Sequence, residues 1–240
     1  MKLRHVNTIA GKELHSYFNS PLGVILLSVF LMVSSALFFS DFFLMNQSSM
    51  RTFFEWLPWI FLFLIPAVTM RLWAEEKKLG MMEPLLTSPL TLTEVVLGKF
   101  LASLLFLLLA LALSGIIPAI LFFIGQPDFG AIAAGYLGAF LLGAAYLSLG
   151  LFISSLTDNQ IVAFAVSVLI LFVLLVAGQE IVLSTVPQTA IPFLKYMAIG
   201  LHFEGLVRGV IDSRDVVYYL LFIFLFLHFN VASISHQKWV

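Results

Sequence analysis

The chain contains no cysteine, and only 10% of its 240 residues are Asp, Glu, Lys or Arg. The first absence excludes disulfides, thiolate metal sites and cysteine nucleophiles, and says little about compartment. The second excludes an ordinary water-soluble domain, in which about 25% of residues are charged and about 45–50% apolar. Here 61% are hydrophobic. No globular core needs that much apolar sequence, so the surplus must face lipid. A net charge of −1 offers nothing to a nucleic-acid backbone, and no nucleic-acid partner is expected.

Several catalytic motifs are missing too. There is no G-x-x-x-x-G-K-[ST] loop, so the chain is not by itself an ATPase of the usual kind. His5, His15, His202, His228 and His236 form no H-E-x-x-H pair. The pair Glu75–Glu76 lacks the arginine and the neighbouring-span histidine that an intramembrane protease would need. Ser235 and Lys238 match S-x-x-K by letter only. No catalytic residue, metal site or cofactor is expected in this chain.

What remains is a set of long apolar runs fenced by charges. They cover 22–39, the fourteen-residue LPWIFLFLIPAVTM, 100–124, 131–154, 161–177 and 216–232. A spanning helix needs roughly 20 apolar residues, so the second run is short unless its helix uses Arg71 and Trp73 as interfacial anchors. The stretch 182–194 is interrupted by Pro187 and Pro192, and is expected to dip into or lie on the membrane within an extracytoplasmic segment, 180–215. Six spans is the count, and seven the alternative. With six, both termini share a side with the 71–99 loop. That side carries Lys2, Arg4, Lys12, Arg71, Lys77, Lys78, Lys99 and Lys238. The other carries Arg51, Lys195, Arg208 and Arg214. Positive loops stay cytoplasmic, so both termini are expected there. The apolar run starts too late and is too long for a cleavable signal peptide. Leu3, Val6, Ala10, Leu14 and Tyr17 recur at helical spacing, which suits an interfacial helix over 1–20; a soluble tail is the alternative.

Two patterns concern packing. Ala131, Gly135, Ala139 and Gly143 stand four apart and let another helix approach closely, in the same chain or in a second copy. Pro66 and Pro118 fall inside spans and are expected to kink them. Ionisable groups are scarce in mid-span: Glu180 lies at the end of one span, and His228, with the amide of Asn230, near the end of another. That pattern counts against a proton-coupled carrier and favours a machine powered from outside the chain.

Charge concentrates instead between the second and third spans, in AEEKKLGMMEPLLTSPL at 74–90. Residues 71–99 hold Arg71, Glu75, Glu76, Lys77, Lys78, Glu83, Glu94 and Lys99. Glu75, Leu79, Met82 and Leu86 continue one stripe of an amphipathic pattern. Gly80 and Pro84 weaken its middle, so two short helices with a bend are expected. Thr91 and Glu94 form a capping-box signature for the next helix. Such a segment can lie flat on the membrane. It can also dock a cytoplasmic partner, with Leu79, Met82, Leu85 and Leu86 filling a groove and charges fixing orientation.

The stretch PWIFLFLIPAVTMRLWAEEKKLGMMEPLLTSPLTLTEVVLGKF resembles the permease subunits of type 2 ABC transporters, most closely the gliding-motility (GldF-like) branch. KELHSYFNSPLGVI and RGVIDSRDVVYYL look like that branch as well. The resemblance implies an all-α integral membrane protein forming one permease domain over 1–240. It would have six transmembrane helices and a cytoplasmic coupling helix between spans two and three. It carries an ATPase-coupling role onto Glu76, Gly80, Glu83, Leu85, Leu86 and Pro89, with Glu75 and Lys77 beside them. Met81 stands where the family usually has Thr, and Pro84 where it usually lacks proline. The resemblance also implies partners: an ABC ATPase dimer binding ATP and Mg, a second permease copy or relative, and a periplasmic accessory subunit. The expected activity is export of a lipid, glycan, peptide or other envelope substrate across the bacterial inner membrane. The alternative is a non-transporting scaffold that recruits an ATPase for envelope or motility machinery.

Overall fold

The computed structural model describes residues 3–45, 49–82, 90–125 and 127–237. Among these the chain is helical, with no strand. The elements are α1 (Leu3–Asn19), α2 (Pro21–Met45), α3 (Arg51–Thr69), α4 (Arg71–Lys78), α5 (Leu92–Ser114) and α6 (Ile116–Ile124). There follow α7 (Phe129–Ser154), α8 (Gln160–Val176), α9 (Glu180–Thr185), α10 (Ile191–Met197), α11 (Ile199–Val207) and α12 (Ser213–Gln237).

Within the described residues, five helical stretches are long and apolar enough to cross a bilayer. They are Pro21–Ser40, Arg51–Lys78, Leu92–Phe123, Phe129–Ser154 and Ser213–His236. Gln160–Val176 is equally apolar but has 17 residues. At about 1.5 Å per residue it measures roughly 26 Å, a little under a hydrocarbon core of about 30 Å. Short polar side chains mark two helix starts because they cap them. Asp128 Oδ1 accepts from the N–H groups of Gly130 and Ala131 at 2.8 and 3.4 Å. Asn159 does the same for Ile161 and Val162 at 2.9 and 3.4 Å.

One fence post misled. The run after Glu55 looked too short to span, yet α3 begins at Arg51, and Glu55 lies within its second turn. An Arg51–Glu55 pair at 2.8 Å satisfies both charges along the helix surface. The helix then passes Pro58 and Pro66 and runs through a turn at Met70 into α4. At Pro118 the outcome is a break. Its ring crowds the carbonyl four residues back, that of Ser114, and it has no N–H to donate there. The chain tightens at Gly115, whose N–H reaches Ala112 O at 3.1 Å, and resumes as α6.

At the centre lies α7, with 83% of its most apolar window buried, against 28% for α2 and 22% for α12. Its glycines explain the closeness of its neighbours. A Cβ on Gly135 would lie 2.3 Å from the Phe54 ring, on Gly143 2.5 Å from Leu107, and on Gly150 2.3 Å from Thr69 Oγ1. One on Gly138 would lie 2.7 Å from Leu206. The small-residue face is therefore occupied by α3, α5 and α11 of the same chain. Ala139 is fully buried, and Ala131 lies against Gly209 at the opposite end of α7 from Ser154. Without a hydrophobic drive between helices in lipid, such close backbone contact is a main source of cohesion.

Candidate functional site

Helix α5 starts on a capping box. Thr91 Oγ1 accepts from Glu94 N at 3.4 Å, and Glu94 Oε2 accepts from Thr91 N at 3.1 Å. His5 Nδ1 of α1 lies 3.3 Å from the same carboxylate oxygen. One turn further, Gly98 allows α1 to press onto α5, because a Cβ there would be 2.7 Å from Ile9. That approach brings α1 within reach of the next residue, Lys99.

The Lys99 side chain is 1% exposed and sits where α1, α4 and α5 meet. Its Nζ donates to Glu13 Oε1 at 2.7 Å, to Glu76 Oε1 at 2.7 Å and to the carbonyl of Leu72 at 2.9 Å. All three ammonium donors are thus accounted for. The Trp73 ring lies beneath it, 4.9 Å from Nζ to the centroid, a cation–π distance. Glu76 Oε2 is buried and has no hydrogen-bond partner among the described residues.

Further bonds tie the same end of the bundle. Arg71 donates to Ser20 Oγ at 3.1 Å and to Ser16 O at 3.3 Å, and lies over the Tyr17 ring at 5.1 Å. A cation there complements the C-terminal end of α1. Tyr17 OH donates to Val68 O at 3.3 Å and lies 3.3 Å from Ser103 Oγ. Burial pushes the Tyr17 phenol well above its ordinary pKa. At the foot of α7, Ser154 Oγ accepts from the N–H groups of Trp73 and Ala74 at 3.2 and 3.3 Å and donates to Met70 O at 3.0 Å. Lys77 Nζ donates to Ser155 O, and Ser155 Oγ bonds Ser233 of α12 at 3.1 Å.

The sequence-predicted residues divide accordingly. Glu75, Glu76 and Lys77 are all half-buried, with Glu76 bonded to Lys99 and Lys77 to the carbonyl of Ser155. The helix closes in a Schellman motif: Gly80 N donates to Lys77 O at 3.0 Å and Met81 N to Glu76 O at 2.9 Å. Gly80 has a φ of +68°. On either side of it Leu79 and Met81 are 62% and 46% exposed. Glu83, Leu85, Leu86 and Pro89 lie outside the described residues. Ala131, Gly135, Ala139 and Gly143 line α7 and take no part in this end of the molecule. Sequence reasoning missed Lys99, Glu13, Arg71 and Ser154 as a joined set. For Lys99 a signal existed: it stands inside the apolar run VVLGKFLASLL rather than before it.

At the opposite end, Arg51 pairs with Glu55, and Arg208 with Glu204 at 3.1 Å. Both are exposed pairs one turn apart, of a kind worth about 0.3–0.5 kcal/mol. His202 Nδ1 meets Asp215 Oδ1 at 2.8 Å and stacks on Tyr218 at 3.9 Å. Tyr218 and Tyr219 donate to the carbonyls of Met197 and Ile199 at 3.1 and 2.9 Å. These contacts hold α10 and α11 against the start of α12.

A helical bundle with several membrane-crossing segments, bound together at one end by buried charge, is a multi-pass membrane protein. Residues 44–234 match the family model described as ABC-2 family transporter protein, and the chain belongs to that family. It is accordingly a permease subunit of an ABC transporter. Such a subunit does not itself hydrolyse ATP and generally works with an ATP-binding subunit. Comparison with curated proteins gave no match.

Proposed function

We propose that this chain is the transmembrane subunit of an ATP-driven exporter of envelope material, with residues 74–90 as the lever that receives motion from the ATP-binding partner. In this reading six helices, α8 included, cross the bacterial inner membrane and both termini are cytoplasmic. Helix α1 lies along the cytoplasmic interface, and 180–215 forms a lid on the far side. ATP and Mg are bound by the partner, and two permeases, identical or related, enclose the path. Among transporters of this class the chain stands nearest the gliding-motility branch.

The observation that carries the proposal is the bonding of Lys99 to both Glu13 and Glu76. A push on α4 cannot be absorbed locally, because α4 is bonded to α1, α5 and the foot of α7. Motion delivered at the exposed Leu79–Met81 turn would pass to the spans as rigid-body displacement.

The test is co-purification with the ATP-binding subunit and assay of its hydrolysis. Glu76→Lys is a poor probe, since it also destroys the Lys99 pair. Leu79→Asp combined with Met81→Asp alters the exposed turn instead. Loss of the partner, with an unchanged unfolding midpoint for the permease, is the expected result. Full assembly and full ATP hydrolysis by that variant would overturn the docking assignment. A complex that hydrolyses ATP yet moves no lipid, glycan or peptide would favour a recruiting scaffold.

A further inference from the structure

Arg51, Glu55, Trp59, Phe63 and Ala67 follow one another at four-residue intervals along α3, so they form one continuous stripe that winds round the helix by about 40° per step. Its charged part opens into a cavity of about 340 Å³ that Gln179, Glu204 and Arg208 also line. Its apolar part opens into a groove of about 500 Å³ between α2, α3 and α8, walled by Val29, Val33 and Phe164. Trp59 lines both spaces. Polar cavity and apolar groove therefore adjoin at one indole.

The depths suit an amphiphile. From Arg51 to Trp59 is about 12 Å along the helix, and from Trp59 to Ala67 about another 12 Å. The second distance covers most of one leaflet's hydrocarbon, half of about 30 Å. Trp56 and Trp59 sit between the two parts, where tryptophan settles at headgroup level. Below them Phe63 is 58% exposed, so its ring is open to a chain lying alongside.

The charges specify the head. Arg51 and Arg208 are each paired with an exposed carboxylate one turn away, at 2.8 and 3.1 Å. Exposed pairs of this kind are easily opened, and a guanidinium fork binds phosphate in a bidentate manner. Two arginines are balanced by Glu55 and Glu204, so the cavity is complementary to a head carrying both signs.

We propose that this stripe binds one amphiphile with a zwitterionic phosphodiester head. Its phosphate lies between Arg51 and Arg208, its amine against Glu55 and Glu204, and a chain beside Phe63. Taken with the exporter reading, on which this part rests, such amphiphiles are the class of cargo.

The test uses the full chain in detergent, stripped of lipid and titrated in native mass spectrometry. The probes are phosphatidylethanolamine, phosphatidylglycerol, diacylglycerol and glycerophosphoethanolamine. The expected result is phosphatidylethanolamine retained at least tenfold more tightly than the other three. Arg51→Gln with Arg208→Gln should reduce it to the diacylglycerol level. Phe63→Trp, which fills the groove, should do the same with both arginines intact, and Arg51→Lys with Arg208→Lys should restore part of the loss. Equal retention of all lipids, or no effect of the arginine changes, would mean an ordinary lipid annulus and overturn the proposal. So would glycerophosphoethanolamine binding as tightly as the whole lipid, which would reduce the site to a head-only one. Because the chain has no cysteine, Phe63→Cys supplies a single thiol. Crosslinking of that variant into a covalent dimer in membranes would put a second copy in the groove instead. Phosphatidylethanolamine that binds but fails to raise ATP hydrolysis in the assembled complex would overturn the cargo assignment. Failure of the ATP-binding subunit to co-purify would count against the exporter reading and leave the retention measurement standing.

Discussion

Replacing Lys99 by methionine keeps the length and apolar stem of the side chain and removes its charge together with its three N–H donors. Glu13 Oε1 and Glu76 Oε1 each lie 2.7 Å from Nζ, so they are separated by at most 2.7 plus 2.7 Å. Two uncompensated carboxylates at that separation repel by about 3 kcal/mol at an effective dielectric of about 20. Removing one partner of a buried pair generally costs about 3–5 kcal/mol, in agreement with this figure. At about 2–4 °C per kcal/mol for a chain of this size, 3 kcal/mol lowers the unfolding midpoint by roughly 6–12 °C. The assay is a fluorescence-detected thermal melt in detergent at neutral pH, at low and high salt. High salt should restore little, since the group is buried and poorly screened. The triple variant Lys99→Met, Glu13→Gln, Glu76→Gln removes the repulsion together with the attraction. It is expected within about 1 kcal/mol of the parent, because buried pairs are often close to neutral against uncharged replacements. A midpoint drop under about 2 °C for the single variant, or a triple variant no better than the single, would refute the reasoning.

Three further outcomes follow from the geometry. Gly80→Ala meets no neighbouring atom but must hold φ at +68°, at a cost of about 1–2 kcal/mol. The Met81 amide, bonded to Glu76 O, should then exchange roughly 5- to 30-fold faster with solvent, and unchanged protection would dismiss the left-handed cap. Gly150→Ala places a methyl 2.3 Å from Thr69 Oγ1 and should destabilise by about 1–3 kcal/mol through overpacking. The same change paired with Thr69→Ala, which removes Oγ1, should recover part of it, and no coupling between the two would argue against direct contact. His202→Ala removes the contact with Asp215 at 2.8 Å, and each such bond contributes about 1 kcal/mol. Protease cutting within 186–198 should quicken while the Lys99 end melts unchanged, and an unaltered cutting rate would show that His202 does not restrain that segment.

The long apolar runs made the spanning helices legible, because lipid imposes a strong compositional demand on a contiguous stretch. The capping box at Thr91 and Glu94 was legible for a similar reason: its partners are three residues apart. The start of α3 was obscured because Arg51 and Glu55 neutralise each other on the helix surface, so charge there does not mark an end. Lys99 was harder still. Its partners lie 86 and 23 residues away, and no local pattern states that they meet. Gly98 hints at a close approach, but only the fold names Ile9 as what approaches. The stripe from Arg51 to Ala67 was present in the sequence throughout, yet its meaning depends on Arg208, which reaches the same cavity from α11.

The buried ammonium also imposes an order on synthesis. Glu13 and Glu76 leave the ribosome before the residue that neutralises them. At about 5–20 residues per second, the 86 positions separating Glu13 from Lys99 take roughly 4–17 s to make. During that interval α1 has no buried partner for its carboxylate and must remain in contact with water. It can seat only when the third hydrophobic segment arrives, carrying the lysine with it. Helix α1 is made before its partners and fixed only after them, and a nascent chain stopped short of residue 99 would keep α1 free for a chaperone or a protease.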